Sequence, residues 1–204
     1  MKKITIIQSS LRDGSHTHIL CQKTKEVFES QGIQVDYVDL RDIEMEFCNG
    51  QKLEAYNSDL QDVYQRMEQS EGVIFGMPVY QYTMSGVLKN LIDICGGALQ
   101  SKPVGVLVNA GGPNCYMASR DLFDALYFEY QTRNIAPTPY TWSMDFKDGE
   151  IVNEKVLQNR GTRKSSFRVI TFRNFLSPLS ELGMRVCYQV FLLISYPHSL
   201  QCLL

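Results

Sequence analysis

The stretch from Gly72 to Cys95 constrains the fold more tightly than any other part of the chain. Gly72-Val-Ile-Phe-Gly-Met77 is apolar over about the length of one strand, and Pro78 ends it by removing a backbone donor and fixing φ. Beyond Thr83 the period changes. Leu88, Leu91, Ile92 and Cys95 recur at i, i+3, i+4 and i+7, which predicts a helix with one apolar face, while Lys89, Asn90 and Asp93 are expected to face elsewhere. A buried strand that turns directly into an amphipathic helix is the repeating unit of an α/β fold. The turn between them, Val79 to Thr83, then lies at the carboxyl end of a strand, the rim where open α/β sheets bind ligands.

The rest of the chain repeats this alternation. Lys3-Ile-Thr-Ile-Ile7 predicts a central strand, followed by a polar loop from Gln8 to His18 and a helix from near Ile19 to near Gly32. Gln34 to Leu40 predicts a second strand and Leu53 to Gln69 a second helix. Lys102 to Asn109 predicts a fourth strand, and Ala110-Gly-Gly-Pro-Asn114 a sharp turn into a helix over Cys115–Thr132. In that helix Phe123, Leu126, Tyr127 and Tyr130 are expected to form a buried stripe. Pro137 and Pro139 demote Ile135–Trp142 to an edge strand. A turn at Phe146–Val152 and the start of one more helix over Val152–Gln158 complete the regular pattern.

The first loop carries the polar chemistry. Ser10, Ser15 and Thr17 supply hydroxyls beside a helix N-terminus, whose free N–H groups and dipole favour an anion, and Arg12 adds a guanidinium fork suited to phosphate. A loop whose Ser and Asp side chains only cap its own backbone would read the same way. The spacing matches neither the GxxxxGK[ST] phosphate loop nor the GxGxxG dinucleotide turn, so ATP hydrolysis and a Rossmann NAD site lose their sequence support. His16 and His18 lack the neighbouring ligands of a metal pair and are expected at the surface. Gly111 and Gly112 leave peptide N–H groups unobstructed at the end of the fourth strand.

Composition excludes other classes. A formal charge of −2 gives no overall attraction to nucleic acid or anionic lipid. Charge is nonetheless uneven: residues 151–204 hold seven Lys/Arg against two Asp/Glu, a net +5, and the first 150 hold thirteen against twenty, a net −7. The apolar run Val186–Tyr196 is too short to span a bilayer. The six cysteines are scattered without a CxxC pair, so they read as reduced thiols. With no signal-peptide core after Met1-Lys-Lys, the expected compartment is the cytoplasm, with neither a membrane nor a nucleic acid as partner.

Taken together, the three loops resemble those of the NADPH-dependent FMN reductase family. Ser9-Ser-Leu-Arg-Asp-Gly-Ser-His-Thr17 is similar to that family's Gly-Ser-x-Arg-x-x-Ser-x-Asn phosphate loop. Pro78-Val-Tyr-Gln81 with Gly86-Val-Leu-Lys-Asn-Leu-Ile-Asp93 is similar to its Pro-Glu-Tyr-Asn and Gly-Val-Leu-Lys-Asn-x-Ile-Asp, and Asn109–Gly112 resembles its glycine turn. Ser9, Thr17, Val79, Gln81 and Ser85 stand where the family has Gly, Asn, Glu, Asn and Pro.

The resemblance covers residues 1–158. It implies a flavodoxin-like, doubly wound parallel sheet of five strands in the order 2-1-3-4-5, with residues 159–204 as an atypical C-terminal tail. It also implies FMN as cofactor and NADPH or NADH as donor. Ser10, Arg12, Ser15 and Thr17 would hold the FMN phosphate with His18 near it; Pro78, Val79, Tyr80 and Gln81 would line the ring edge; and Asn109, Gly111 and Gly112 would donate to the pyrimidine side. No side chain is required as acid or base. The implied reaction passes hydride from NAD(P)H through FMN to a flavin, quinone, azo compound or metal ion, in a homodimer or homotetramer. A flavodoxin-type electron carrier without NAD(P)H turnover is the competing expectation.

Overall fold

Four parallel strands, β1 (Lys3–Gln8), β2 (Gln34–Asp39), β3 (Gly72–Pro78) and β4 (Pro103–Ala110), carry the fold. They alternate with helices α1 (His16–Ser30), α2 (Ser58–Glu68), α3 (Gly86–Cys95) and α4 (Arg120–Tyr130). The computed structural model describes residues 3–136 and 138–153. The helix expected over Val152–Gln158 runs beyond them, and the tail at 159–204 lies wholly outside the described residues.

β1 pairs with both β2 and β3, and β4 lies beyond β3, so the order 2-1-3-4 agrees with expectation. The fifth position, beyond β4, is also filled as expected, but by a broken strand. Instead of one edge strand, β4 pairs with two short pieces, β5 (Arg133–Asn134) at its start and β6 (Tyr140–Trp142) at its end. Between them, among the described residues, Ile135 N–H to the Val104 carbonyl (2.8 Å) and Val108 N–H to the Pro139 carbonyl (2.9 Å) continue the ladder. Proline has no N–H to contribute, and an edge tolerates the interruption because no further strand depends on it.

Side-chain alternation along β3 divides the core between the two faces of the sheet. Val73, Phe75 and Met77 pack with Leu60 and Val63 of α2, Leu88 and Leu91 of α3, and Leu122 and Leu126 of α4. Gly76 faces the other way, against Thr17 and Cys21 of α1. Each fully buried Leu or Phe in this core contributes about 1.5–3 kcal/mol of transfer free energy.

Two helices differ from their expected form. Residues 115–119 form turns, with Ala118 N–H on the Cys115 carbonyl and Arg120 N–H on the Met117 carbonyl, both at 3.0 Å, so α4 starts five residues late. Its buried stripe centres on Leu122 and Leu126. Tyr127, roughly 100° round the helix from Leu126, is 57% exposed rather than buried. On α3, Asn90 turns inward: its Nδ2 donates to the Glu46 carbonyl and its Oδ1 accepts Cys48 N–H, each at 2.8 Å. It thereby ties down the irregular connection after β2.

Arg66 joins α2 to β2 through Asp36, with Nη2 to Oδ1 at 2.5 Å and Nε to the same oxygen at 3.1 Å, and Lys3 adds an ion pair at 3.2 Å. Burial raises the Asp36 pKa, but the hydrogen bonds and charges of Arg66 and Lys3 outweigh it and leave the carboxyl below the ordinary range. A depressed carboxylate pKa stabilises the fold above the unfolded-state value of about 3.9, and that stability is lost as pH falls through the folded value. Asp36→Asn is therefore expected to lower the urea midpoint at about pH 7 and to narrow its fall on going to about pH 3. A variant whose midpoint falls as steeply as the parent's would remove Asp36 from the account.

Candidate functional site

α1 begins at His16, three residues before the expected start, because Ser15 caps it: Ser15 Oγ accepts the His18 N–H at 3.4 Å. Thr17 and His18 consequently sit in the first helical turn, not in the loop. The His16 and Thr17 N–H groups have no acceptor among the described residues, as expected for a helix start. Arg12, exposed on the loop just before, forms no ion pair among the described residues. Two free amides, the Ser10 hydroxyl and an unpaired guanidinium thus converge on one spot, where they can bind an anion.

That spot is one end of a cavity of about 320 Å³ at the carboxyl ends of β1, β3 and β4. Ser10, Arg12, Ser15, His16 and Thr17 line its first side, and Pro78, Val79 and Tyr80 its second. Asn109, Ala110 and Gly111 line the third, with Ser143 from the segment after β6. A Cβ built on Gly111 or Gly112 would meet nothing within 4 Å, and neither residue has a positive φ. The backbone therefore does not need glycine here; what the missing side chains leave is bare peptide at the cavity rim.

Hydrogen bonds between the loops hold this arrangement. Ser9 Oγ donates to the Gly76 carbonyl at 2.7 Å, and Ser85 Oγ donates to the Ser9 carbonyl at 3.3 Å while capping α3 through Leu88 N–H. Ser9 and Ser85, two of the departures from the family pattern, thus form a buried link between the first and second loops. On the other side Val79 N–H reaches the Asn109 carbonyl (2.8 Å), and Asn109 Nδ2 donates to Thr141 Oγ1 (3.0 Å). Ser143 Oγ donates to the Gly111 carbonyl at 2.7 Å, and the Tyr140 hydroxyl donates to the Gly112 carbonyl.

Three of the expected residues lie away from the cavity lining. His18 points to the far side of α1, where its Nδ1 lies 3.2 Å from Asp39 Oδ2 and 3.1 Å from the Tyr37 hydroxyl. One helical position beyond Thr17 is enough to turn it off the cradle. Gln81 occupies the tip of a tight turn in which Tyr80 and Thr83 exchange backbone hydrogen bonds at 3.1 Å. Gly112 is engaged through its carbonyl by Tyr140.

Three others were not foreseen. His16 lines the cavity, stacked on Phe146 with centroids 4.1 Å apart and planes 8° from parallel. Phe146 is delivered by a hairpin, β7 (Phe146–Lys147) and β8 (Glu150–Ile151), turned through Asp148 and Gly149 at φ 50° and 81°. Burial, and then the charge of Arg12, push the His16 pKa below its ordinary value. Its place directly after the cap was the available signal. Ala110 and Ser143 arrive through β4 and the split edge, and Ser143 had no local signal.

Gln81 and Tyr82 adopt φ of 50° and 66°, a left-handed turn made without glycine. Asn tolerates that region better than Gln. Gln81→Asn is expected to stabilise the protein by about 0.5–1 kcal/mol, read as a higher urea midpoint; a lower midpoint would show that Gln81 makes a contact worth more than its strain.

The family model described as NADPH-dependent FMN reductase matches residues 2–145. An NAD(P)H-dependent FAD/FMN reductase from Geobacillus thermodenitrificans is 33% identical over 86 residues, which are 42% of this chain and 46% of that protein. An FMN-dependent NADPH-azoreductase from Staphylococcus saprophyticus is 32% identical over 112 residues, 52% of this chain and 60% of that protein. The match thus spans about half the length of these relatives. Among solved structures, the NAD(P)H:(acceptor) oxidoreductase FerB from Paracoccus denitrificans superposes with a TM-score of 0.63 at 21% identity, over 77% of this chain and 90% of that one. That likeness concerns the fold. With the family model spanning β1 through the segment after β6, and the three loops of the site within it, the chain belongs to the NADPH-dependent FMN reductase family.

Proposed function

We propose that the protein is an FMN-dependent NAD(P)H oxidoreductase delivering reducing equivalents to a small acceptor such as a flavin, quinone, azo compound or metal ion. The observation that carries this reading is the joining, in one cavity, of an unpaired anion cradle at the start of α1 and a bare peptide rim at Gly111. This donor set fits FMN: one end suits a phosphate, the other the edge of a flat polar ring.

In this reading the Ser10, Ser15 and Thr17 hydroxyls, the His16 and Thr17 amides and Arg12 bind the phosphate. Pro78, Val79 and Tyr80 line the ring edge, and the peptide at Asn109–Gly111 donates to it. His18, Gln81 and Gly112 leave the set of proposed contacts. FMN, when bound, supplies hydride acceptance and donation. The protein binds and orients it, and no side chain is assigned a proton transfer. Residues 1–158 are proposed as the flavin domain and 159–204 as a distinct C-terminal segment.

A homodimer or homotetramer is part of the proposal, supported by Phe128, which is 79% exposed and edge-to-face with Tyr127. Sedimentation of the full chain tests it. A cytoplasmic location is likewise proposed, in keeping with four free cysteines among the described residues. No helix of the described residues is long and apolar enough to cross a membrane.

The test of function is an anaerobic visible spectrum of the protein supplied with FMN, recorded before and after NADPH and then NADH. Bleaching is expected, and the more effective nucleotide names the donor. Bound flavin that ignores both would point to an electron carrier, and protein that stays colourless would overturn the cavity assignment.

A further inference from the structure

Gln8, the last residue of β1, is fully buried behind the cradle, and both ends of its side-chain amide grip Ser10. Oε1 accepts the Ser10 N–H, while Nε2 donates to the Ser10 carbonyl at 2.9 Å and to Asp39 Oδ1 at 3.0 Å. Ser10 Oγ in turn accepts the Arg12 N–H at 3.4 Å. A continuous path of hydrogen bonds therefore runs from Gln8 through Ser10 to the backbone of Arg12.

An amide can rotate to exchange its two ends, and only its surroundings choose between them. The Ser10 N–H and carbonyl make that choice, and Asp39 reinforces it. Asp39 stands opposite Gln8 in the β1–β2 register, and an ionised carboxylate only accepts, so Nε2 must face it and Oε1 must face the Ser10 N–H. Arg41 holds the carboxylate: its N–H and Nε each reach Oδ1 at 3.0 Å, and Nη2 reaches Oδ2 at 2.5 Å. His18 Nδ1 completes the cluster on Oδ2.

We infer that Gln8, anchored by Asp39, is a positioning residue that holds Ser10 and Arg12 in the shape which selects a phosphorylated flavin over an unphosphorylated one. The inference rests on the reading of the cavity as an FMN site. It assigns Gln8 no contact with ligand. Its effect passes through Ser10, so it acts on the phosphate end and leaves the ring end at Val79 and Gly111 alone.

The test compares dissociation constants for FMN and riboflavin, read by flavin fluorescence, on full-length apoprotein of the parent, Gln8→Met and Asp39→Asn. Urea midpoints are measured alongside. Gln8→Met keeps the volume and removes both grips on Ser10; it is expected to weaken FMN by about tenfold or more and riboflavin by less than about twofold. Asp39→Asn removes the charge that anchors Gln8 Nε2, which loosens the Gln8 amide while the Ser10 backbone still sets its orientation. It should lower FMN affinity about threefold to tenfold, again with riboflavin nearly unchanged. This variant carries the test if Gln8→Met does not fold.

Equal losses for the two flavins, or loss of neither, would overturn the inference and leave Gln8 a core amide with no bearing on specificity. A parent protein that binds FMN no better than riboflavin would instead overturn the phosphate-cradle reading, and the inference with it.

Discussion

Ser15→Asp is expected to abolish tight FMN binding while leaving the apoprotein folded. Ser15 caps α1 by accepting the His18 N–H, and Asp caps a helix about as well as Ser. Its negative charge also suits the positive end of the helix dipole, so the urea midpoint should stay the same or rise slightly. In the proposed complex, however, the new carboxylate would face a phosphate across the cradle lined by Ser10, Arg12 and Thr17. Like charges about 4 Å apart repel by roughly 4 kcal/mol at the effective dielectric near a protein surface. Allowing for relaxation, FMN affinity should fall by at least about a hundredfold. Riboflavin, without the phosphate, should bind as before. An unchanged FMN affinity would show that the phosphate does not sit at the start of α1.

Gly76→Ala should carry the largest stability cost of the substitutions considered, at about 1–3 kcal/mol. A Cβ at this central position of β3 would lie 2.1 Å from Cys21 Sγ, 3.1 Å from Thr17 Cγ2 and 3.5 Å from the Ile7 carbonyl oxygen. No side chain can yield cheaply: Cys21 is wholly buried, as is Ile7 on the neighbouring strand. α1 would have to lift from the sheet, taking Thr17 and the cradle with it. FMN affinity should therefore fall together with stability.

Cys21→Ala removes the atom struck first. The double variant Gly76→Ala/Cys21→Ala is then expected to be more stable than the sum of the two single changes allows, a positive coupling that a double-mutant cycle in urea measures. Strict additivity would mean that the sheet, not α1, absorbs the added methyl. The burial that leaves no room also pushes the Cys21 thiol pKa up, so this cysteine is a packing residue and not a nucleophile.

The parts of the fold that depend on local pattern were legible in the sequence. β-branched apolar runs marked β1 and β3, and the spacing of Leu88, Leu91, Ile92 and Cys95 marked the buried face of α3, because period and burial are local properties of a chain segment. The same holds for the cavity: loops at the carboxyl ends of consecutive parallel strands must share one edge of the sheet, so Ser10, Arg12, Pro78, Tyr80, Asn109 and Gly111 were bound to converge.

What the sequence left open depended on one local cap and on contacts between distant segments. The start of α1 was decided by Ser15 capping it, and that one boundary kept Thr17 in the cradle wall, as expected, and turned His18 out towards Asp39. Asn90, expected to face away from the apolar stripe of α3, is instead buried by the connection after β2, which offers Glu46 and Cys48 as partners. Ser143 is 32 residues from Gly111, and only the broken edge at β5 and β6 brings them together. The sequence by itself determined which segments form strands and helices, and hence where a ligand can bind. Only the tertiary structure decided which side chains reach that place, because a side chain's direction depends on where a cap starts its helix and on hydrogen bonds from residues far along the chain.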